Sequence, residues 1–137
     1  MILMDTGPLV ALFDPQDPYH KHCSGLLKTI REPLITTIPV LTEVFHLLSP
    51  DSQGSKALRQ FIERKALSVW FMDESALSTA LNLMEKYIDR PMDLADASLV
   101  VAAQRLGTNR VFTVDRNDFF VYRVAVGHEL RAFDVII

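Results

Sequence analysis

Five acidic residues of this chain stand where carboxylates can do chemistry, at the end of an apolar segment or near the start of a helical pattern. They are Asp5, Glu43, Asp93, Asp96 and Asp115. Asp5 directly follows the apolar residues 1–4, and Asp115 directly follows the strand-like residues 111–114. Carboxylates that converge on one point are the preferred ligands of a hard divalent cation. The placement of these acids therefore indicates a candidate metal site.

Each acid also has an ordinary structural explanation. Asp5 could cap the helix predicted to begin at Pro8, because carboxylates are common N-caps. Asp115 could close an Asx turn, and Glu43 could be a solvated helix residue. Glu43 nevertheless lies at the edge of an apolar helical stripe, which consists of Val40, Leu41, Val44, Leu47 and Leu48.

Asp96 is the acid that a capping role explains least well. Asp93 could be an N-cap with Asp96 as its third-position partner, in an acidic version of the capping box. The helical projection, however, places Asp96 on one face with Leu99, Val100 and Ala103. A carboxylate on an apolar face is costly unless it is paired, hydrogen-bonded or bound to a metal. The pattern therefore favours a functional role for Asp96.

A divalent cation would relieve the repulsion between these carboxylates, since no basic residue in the same segments is an obvious partner for them. Ligation by oxygen alone favours Mg²⁺, or Mn²⁺ in its place, over Zn²⁺. His20, His22 and Cys23 form a cluster in the sequence, but a helix directs residues two apart to different sides. The hydroxyls of Thr6 and Thr113 could orient the carboxylates as a second shell, or they could satisfy local backbone groups.

These acids require a fold that brings strand ends and helix starts together. Apolar runs predict strands over residues 1–4, 34–37, 67–72, 111–114 and 131–136. Helical patterns cover residues 8–13, 17–30, 39–48, 55–65, 74–88 and 93–106. Strands that alternate with helices of this length indicate an α/β fold, with a mainly parallel sheet covered on both faces. Ligands of such sheets bind beyond the carboxyl ends of the strands, where Asp5 and Asp115 stand.

The length and composition are those of a folded domain, with 137 residues of which 49% are hydrophobic and 23% charged. We expect one domain over residues 1–137.

The single cysteine and the lack of a signal-peptide pattern or a long apolar run predict a cytoplasmic protein with no membrane association. The net charge of −3 argues, at face value, against nucleic acid. Setting aside Asp5, Glu43, Asp96 and Asp115 leaves 13 acidic side chains against 14 basic ones, so the acidity is concentrated in the candidate site.

Four segments together resemble the PIN domain family, and most nearly its small VapC-type ribonuclease toxins. The segments are MDTGPL at 4–9, TEV at 42–44, MDLADASL at 92–99 and FTVDRNDF at 112–119. They occur in the family's order and span the whole chain. The resemblance implies a three-layer α/β/α fold around a central, mainly parallel sheet.

The resemblance also implies a metal-dependent endoribonuclease that hydrolyses RNA phosphodiester bonds. It matches Asp5, Glu43, Asp96 and Asp115 to the acidic quartet that binds Mg²⁺, and it matches Asp93 to an acid that often accompanies the third member. Arg116 adjoins Asp115 and is the best candidate to contact the RNA substrate. Further basic candidates are Lys56, Arg59, Arg64, Lys65, Arg110 and Arg123. Toxins of this kind are silenced by a cognate antitoxin protein and commonly form homodimers, so both partners are expected.

Two other functions fit the same resemblance. The chain could be a PIN-domain nuclease that processes RNA without a toxic role, or a catalytically silent module that binds RNA or a protein. A small antitoxin in the neighbouring reading frame would separate the toxin from the processing nuclease. Metal titration and an RNA cleavage assay would separate either enzyme from the silent module.

Overall fold

The computed structural model describes the backbone of residues 1–137 and the side chains of all of them except Arg116. The strands are β1 Ile2–Met4, β2 Leu34–Thr37, β3 Ser68–Trp70, β4 Arg110–Phe112, β5 Arg123–Val126, β6 Glu129–Ala132 and β7 Asp134–Ile136. The helices are α1 Thr6–Phe13, α2 His20–Thr29, α3 Ile38–Leu48, α4 Gln53–Glu63, α5 Glu74–Lys86, α6 Leu94–Leu106 and α7 Arg116–Val121.

Five strands form a parallel sheet in the order β3-β2-β1-β4-β7. The central strand β1 pairs Leu3 with Ile35 of β2 on one side and with Val111 of β4 on the other. All three residues of β1 are fully buried. Such uniformly apolar strands suit a sheet that helices cover on both faces, and this confirms the predicted α/β fold class.

Pairs of helices connect the first four parallel strands, with α1 and α2 before β2, α3 and α4 before β3, and α5 and α6 before β4. Because every strand of this sheet runs the same way, β1 and β4 end at one edge, and α1, α3 and α6 begin near that edge. Helix α6 is the most buried helix, with eight of its 13 residues inaccessible to solvent. It ends at Gly107 as predicted, in the left-handed conformation with φ of 70° that glycine adopts without strain.

The segment after residue 114 differs most from the prediction. The strand predicted over residues 131–136 is wrong as a single element, because β6 ends at Ala132, β7 begins at Asp134 and the buried Phe133 lies between them. Strands β5 and β6 form a separate antiparallel hairpin with Gly127 at its turn. The short helix α7 was not predicted.

Element boundaries also moved at several helix starts. Helix α1 begins two residues before Pro8, because the Asp5 carboxylate caps it. Helix α2 begins at His20 and not at Asp17, because the Asp17 side chain accepts a hydrogen bond from the Tyr19 N–H and holds a turn there. Among the described residues, no helix combines the length and the apolar character needed to cross a membrane.

Candidate active site

Asp5 stands at the carboxyl end of the central strand and divides its two oxygens between two partners. Its Oδ1 accepts the Thr6 N–H at 2.8 Å, which caps α1, and its Oδ2 accepts the Thr113 hydroxyl at 2.7 Å. The residue is only 7% exposed. The cap and the candidate site are therefore two uses of one carboxylate.

The pKa of Asp5 is raised to about 6. Burial is the main cause, and the nearby charges of Asp115 and Asp93 add to it. The hydrogen bonds from Thr113 and Thr6 oppose the shift, because they favour the charged form. The charge of Asp5 is thus poorly compensated by the protein itself.

Asp96 lies in the first turn of α6 and is half-buried. Its backbone N–H donates to Asp93 Oδ1 at 2.8 Å, so Asp93 is the N-cap of α6. The Asp96 carboxylate is left out of this cap, and its Oδ2 accepts the Tyr122 hydroxyl at 3.0 Å. Burial raises the pKa of Asp96 to about 8, with further contributions from the charges of Asp5 and Asp93. The Tyr122 hydrogen bond opposes that shift.

Asp115 caps the short helix α7, since its Oδ1 accepts the Asp118 N–H at 3.3 Å. The structure thus confirms a local turn role for Asp115, as it does a capping role for Asp5 and Asp93. Asp118 lies beside Asp115, and burial together with the Asp115 carboxylate raises the pKa of Asp118. The charge of Asp115 also contributes to the raised pKa of Asp5, so the acids at the ends of β1 and β4 interact electrostatically.

Two threonines connect the strand ends and the acids. The Thr113 hydroxyl donates to Asp5 and accepts the Asp115 N–H at 2.9 Å, so it joins the end of β1 to the loop after β4. The Thr6 hydroxyl donates to Glu43 Oε2 at 3.0 Å, which joins the start of α1 to α3. Glu43 is half-buried, and within the described contacts Thr6 is its hydrogen-bond partner. Both threonines contact predicted site acids, and their roles toward a metal remain predictions.

Tyr122 is a member of the site that the sequence did not reveal. Its side chain is fully buried, with its ring packed edge-on against Tyr87 and Phe119 at centroid distances of 5.2 Å. Its pKa is raised, mainly by burial and then by the neighbouring Asp96 carboxylate, so the hydroxyl stays a proton donor. The only sequence signal was an aromatic residue three positions after Phe119, a spacing equally typical of a core contact.

The basic residues expected to follow RNA are partly engaged elsewhere. Arg110 begins β4, at the opposite edge of the sheet from the acids, and forms ion pairs with Glu32 and Asp134. Arg59 pairs with Glu63 one helical turn away. The guanidinium of Arg123 donates to the carbonyls of residues 120–122. Arg116 lies outside the described side chains, so its expected contact with RNA stays a prediction.

The donor chemistry of the site suits a hard cation. Asp5, Asp96 and Asp115 offer carboxylate oxygens. Burial, together with the neighbouring negative charges, disfavours the charged forms of Asp5 and Asp96. Among the described residues, no three His, Cys, Asp or Glu side chains stand close enough together to hold an ion as they are. The donor types fit a hard cation, while the described side chains lie farther apart than a bound ion would leave them.

The parallel sheet, with acids at the carboxyl ends of its strands, has the architecture that the resemblance to a PIN domain implied. The model of the PIN domain family matches residues 2–126, and the chain belongs to this family. Its relatives include ribonuclease VapC26 of Mycobacterium tuberculosis, which is 27% identical over 125 residues, or 89% of this chain and 92% of that protein. The predicted resemblance is thereby confirmed.

Solved structures show the same fold. VapC20 of Mycobacterium tuberculosis, a toxin that cleaves the sarcin–ricin loop, superposes with a TM-score of 0.78 at 18% identity, covering 85% of this chain and 92% of that one. A toxin–antitoxin complex from Klebsiella pneumoniae has a TM-score of 0.68 at 17% identity over 87% and 90%. FitAcB from Neisseria gonorrhoeae has a TM-score of 0.63 at 18% identity over 88% and 91%.

Proposed function

We propose that this protein is a metal-dependent endoribonuclease that hydrolyses RNA phosphodiester bonds and acts as the toxin of a toxin–antitoxin pair. The observation that carries the proposal is the buried Asp5 carboxylate together with the half-buried Asp96 carboxylate, whose pKa values are raised by burial and by neighbouring negative charges. Two such carboxylates destabilise the fold unless a cation neutralises them, so their presence favours a metal-binding role. The family and the named ribonuclease among its relatives support the same activity.

The residues expected to hold the metal are Asp5, Glu43, Asp96 and Asp115, with Asp93 beside them. When bound, Mg²⁺, or Mn²⁺ in its place, supplies positive charge that activates water and stabilises the attacked phosphate. The protein's own contribution is to fix the donors. Thr113 fixes Asp5, Tyr122 fixes Asp96 and Thr6 fixes Glu43, each through one hydroxyl hydrogen bond.

The partners follow from the same proposal. The substrate is RNA, and a cognate antitoxin protein binds the chain and silences it, as the toxin–antitoxin complex among the similar structures supports. We include homodimer formation in the proposal, because several large apolar side chains are exposed, among them Leu77, Leu81 and Ile88. Size-exclusion chromatography with light scattering, on the chain alone and co-expressed with the upstream reading frame, tests both associations.

The activity is tested with purified protein and a random-sequence RNA pool. We expect cleavage with Mg²⁺ or Mn²⁺, none with excess EDTA, and a loss of about 100-fold or more in Asp96→Asn. Asp51→Asn is the matched control, because Asp51 is exposed in the loop between α3 and α4. Equal cleavage by Asp96→Asn and wild type would refute the site, and no cleavage by any form would favour the silent module.

A further inference from the structure

A cavity in the described part of the molecule opens beside Asp115 and has no role in the site as described so far. Its volume is about 550 Å³, within the range of about 300–1,000 Å³ that is typical of small-molecule sites. It is lined by Tyr19, His22, Val114, Asp115, Asn117 and Ile137. Asp115 belongs to the acidic site, so the cavity continues directly from the proposed reaction centre.

The start of α2 divides the sequence cluster of His20, His22 and Cys23 into three different roles. The His20 ring Nδ1 lies 2.6 Å from the carbonyl oxygen of Ala11, which ties α2 to α1. Cys23 is buried in the core. His22 is exposed and lines the cavity. Because His22 is exposed at the cavity, its ring can contact a ligand there.

Tyr19 brings an exposed aromatic ring to the same cavity. It is 47% exposed, unlike the buried Tyr122, and Asp17 fixes its backbone by accepting its N–H at 2.8 Å. An exposed aromatic ring on a fixed backbone is the usual platform on which single-stranded RNA stacks a base. Among the described lining residues, Asp115 is the only acidic side chain, while Tyr19, His22 and Asn117 can donate hydrogen bonds.

We infer that this cavity is a nucleotide subsite, which holds one nucleotide of single-stranded RNA next to the phosphate that is cut. Its base stacks on Tyr19, and His22 and Asn117 offer hydrogen bonds to its polar edge or its phosphate. The inference rests on the proposed ribonuclease function and adds to it the residues that select the flanking nucleotide.

The test compares Tyr19→Ala and Tyr19→Phe on a random-sequence RNA pool with Mg²⁺, with sequencing of the product ends after partial digestion. We expect Tyr19→Ala to lower kcat/KM about tenfold and to flatten the base preference at one position on one side of the cut. Tyr19→Phe keeps the ring and should retain both. Phe71→Ala is the matched control, because Phe71 is an exposed aromatic residue outside the cavity.

His22→Gln should lower kcat/KM by a smaller factor and weaken the base preference at the same position beside the cut. His128→Gln, in the β5–β6 turn, should change neither quantity. A second measurement does not depend on cleavage: the binding of a fluorescent single-stranded oligoribonucleotide in EDTA, which Tyr19→Ala should weaken. If wild type fails to cleave but Tyr19→Ala still weakens RNA binding, the proposed reaction is wrong, while the cavity is still a nucleotide-binding site. Equal rates, base preferences and RNA affinities in Tyr19→Ala and wild type would overturn the subsite. If Tyr19→Ala weakened only the binding of an antitoxin, the subsite would be overturned as well.

Discussion

The acids of this site serve local structure and the candidate chemistry at once. Asp5 and Asp93 each cap a helix that begins at the carboxyl edge of the sheet, and Asp115 caps the short helix that follows β4. In each cap the bond uses Oδ1. Asp96 is different, because within the described contacts its side chain takes no part in capping and accepts the Tyr122 hydroxyl. We therefore expect substitution of a capping acid to change both stability and the proposed activity, and substitution of Asp96 to change the activity without removing a helix cap.

Tyr122→Phe tests whether the hydroxyl positions Asp96. The hydrogen bond favours the charged carboxylate, so its loss should raise the pKa of Asp96 further and shift the acidic limb of the pH–rate profile to higher pH. We expect kcat to fall about tenfold at neutral pH, with an unfolding free energy lowered by only about 1 kcal/mol. Tyr87→Phe is the control, since Tyr87 packs against the same ring and its hydroxyl accepts the Arg123 N–H, not a bond with Asp96. A pH profile identical to that of wild type would contradict the positioning role.

The stability of the metal-free protein should fall as the pH rises. The folded-state pKa values of about 8 for Asp96 and about 6 for Asp5 lie above the value of about 4 of the unfolded chain. Across that interval the folded state binds more protons than the unfolded state, so the free energy of unfolding decreases with pH. In EDTA we expect a lower Tm at about pH 8.5 than at about pH 5.5, and Asp96→Asn should flatten this decline while Asp51→Asn leaves it. A Tm that rises over this interval would show that these carboxyls are not buried as described.

At the level of elements, the site depends on how closely α1 approaches the end of β4. A Cβ added to Gly7 would lie 2.3 Å from Cγ2 of Val114, so only glycine permits this approach. Val114 adjoins Thr113, whose hydroxyl bonds Asp5. The packing of α1 therefore sets the spacing of the acids at the ends of β1 and β4.

Gly7→Ala should push α1 away from β4, lowering the unfolding free energy by about 1–3 kcal/mol and cleavage along with it. The double variant Gly7→Ala with Val114→Ala removes the obstructing methyl group and should recover much of both. Circular dichroism melts and the cleavage assay measure the two effects. The absence of any recovery in the double variant would mean that the contact with Val114 is not what limits the approach.

The elements that the sequence predicted are those whose signals are local. The buried strands at residues 2–4 and 34–37 and the Gly107 end of α6 follow from apolar runs and backbone preference. The β5–β6 hairpin was missed because its residues are largely exposed and show no clear alternation. Tyr122 was missed because its partner Asp96 is 26 residues away and only the fold brings them together.

At the level of the whole molecule, the charge distribution bears on how RNA is held. The net charge is −3, and several basic side chains are engaged with carboxylates or carbonyls away from the acids. The net negative charge gives the molecule no overall attraction for RNA, so the proposed function assigns the handling of the phosphate mainly to the metal.

RNA binding without metal should therefore depend weakly on salt. In EDTA, we expect a plot of log affinity against log salt concentration with a slope of about −0.7 to −1.4, as for one or two phosphate contacts with single-stranded RNA. Arg116→Ala should reduce the steepness of this slope, whereas Arg110→Ala, at the other edge of the sheet, should not. A slope of about −5 or steeper would indicate an extended basic surface and contradict this view.

The burial of the Asp5 and Asp96 carboxylates lowers the stability of the fold, while the proposed catalysis requires these same groups. A neutral amide at Asp96, whose side chain caps no helix, would relieve desolvation and repulsion, so a laboratory selection for thermostability alone should enrich asparagine there. Populations passaged without any requirement for RNA cleavage should accumulate the same replacement early. Heat tolerance gained in this way would then serve as a warning that the nuclease has been lost.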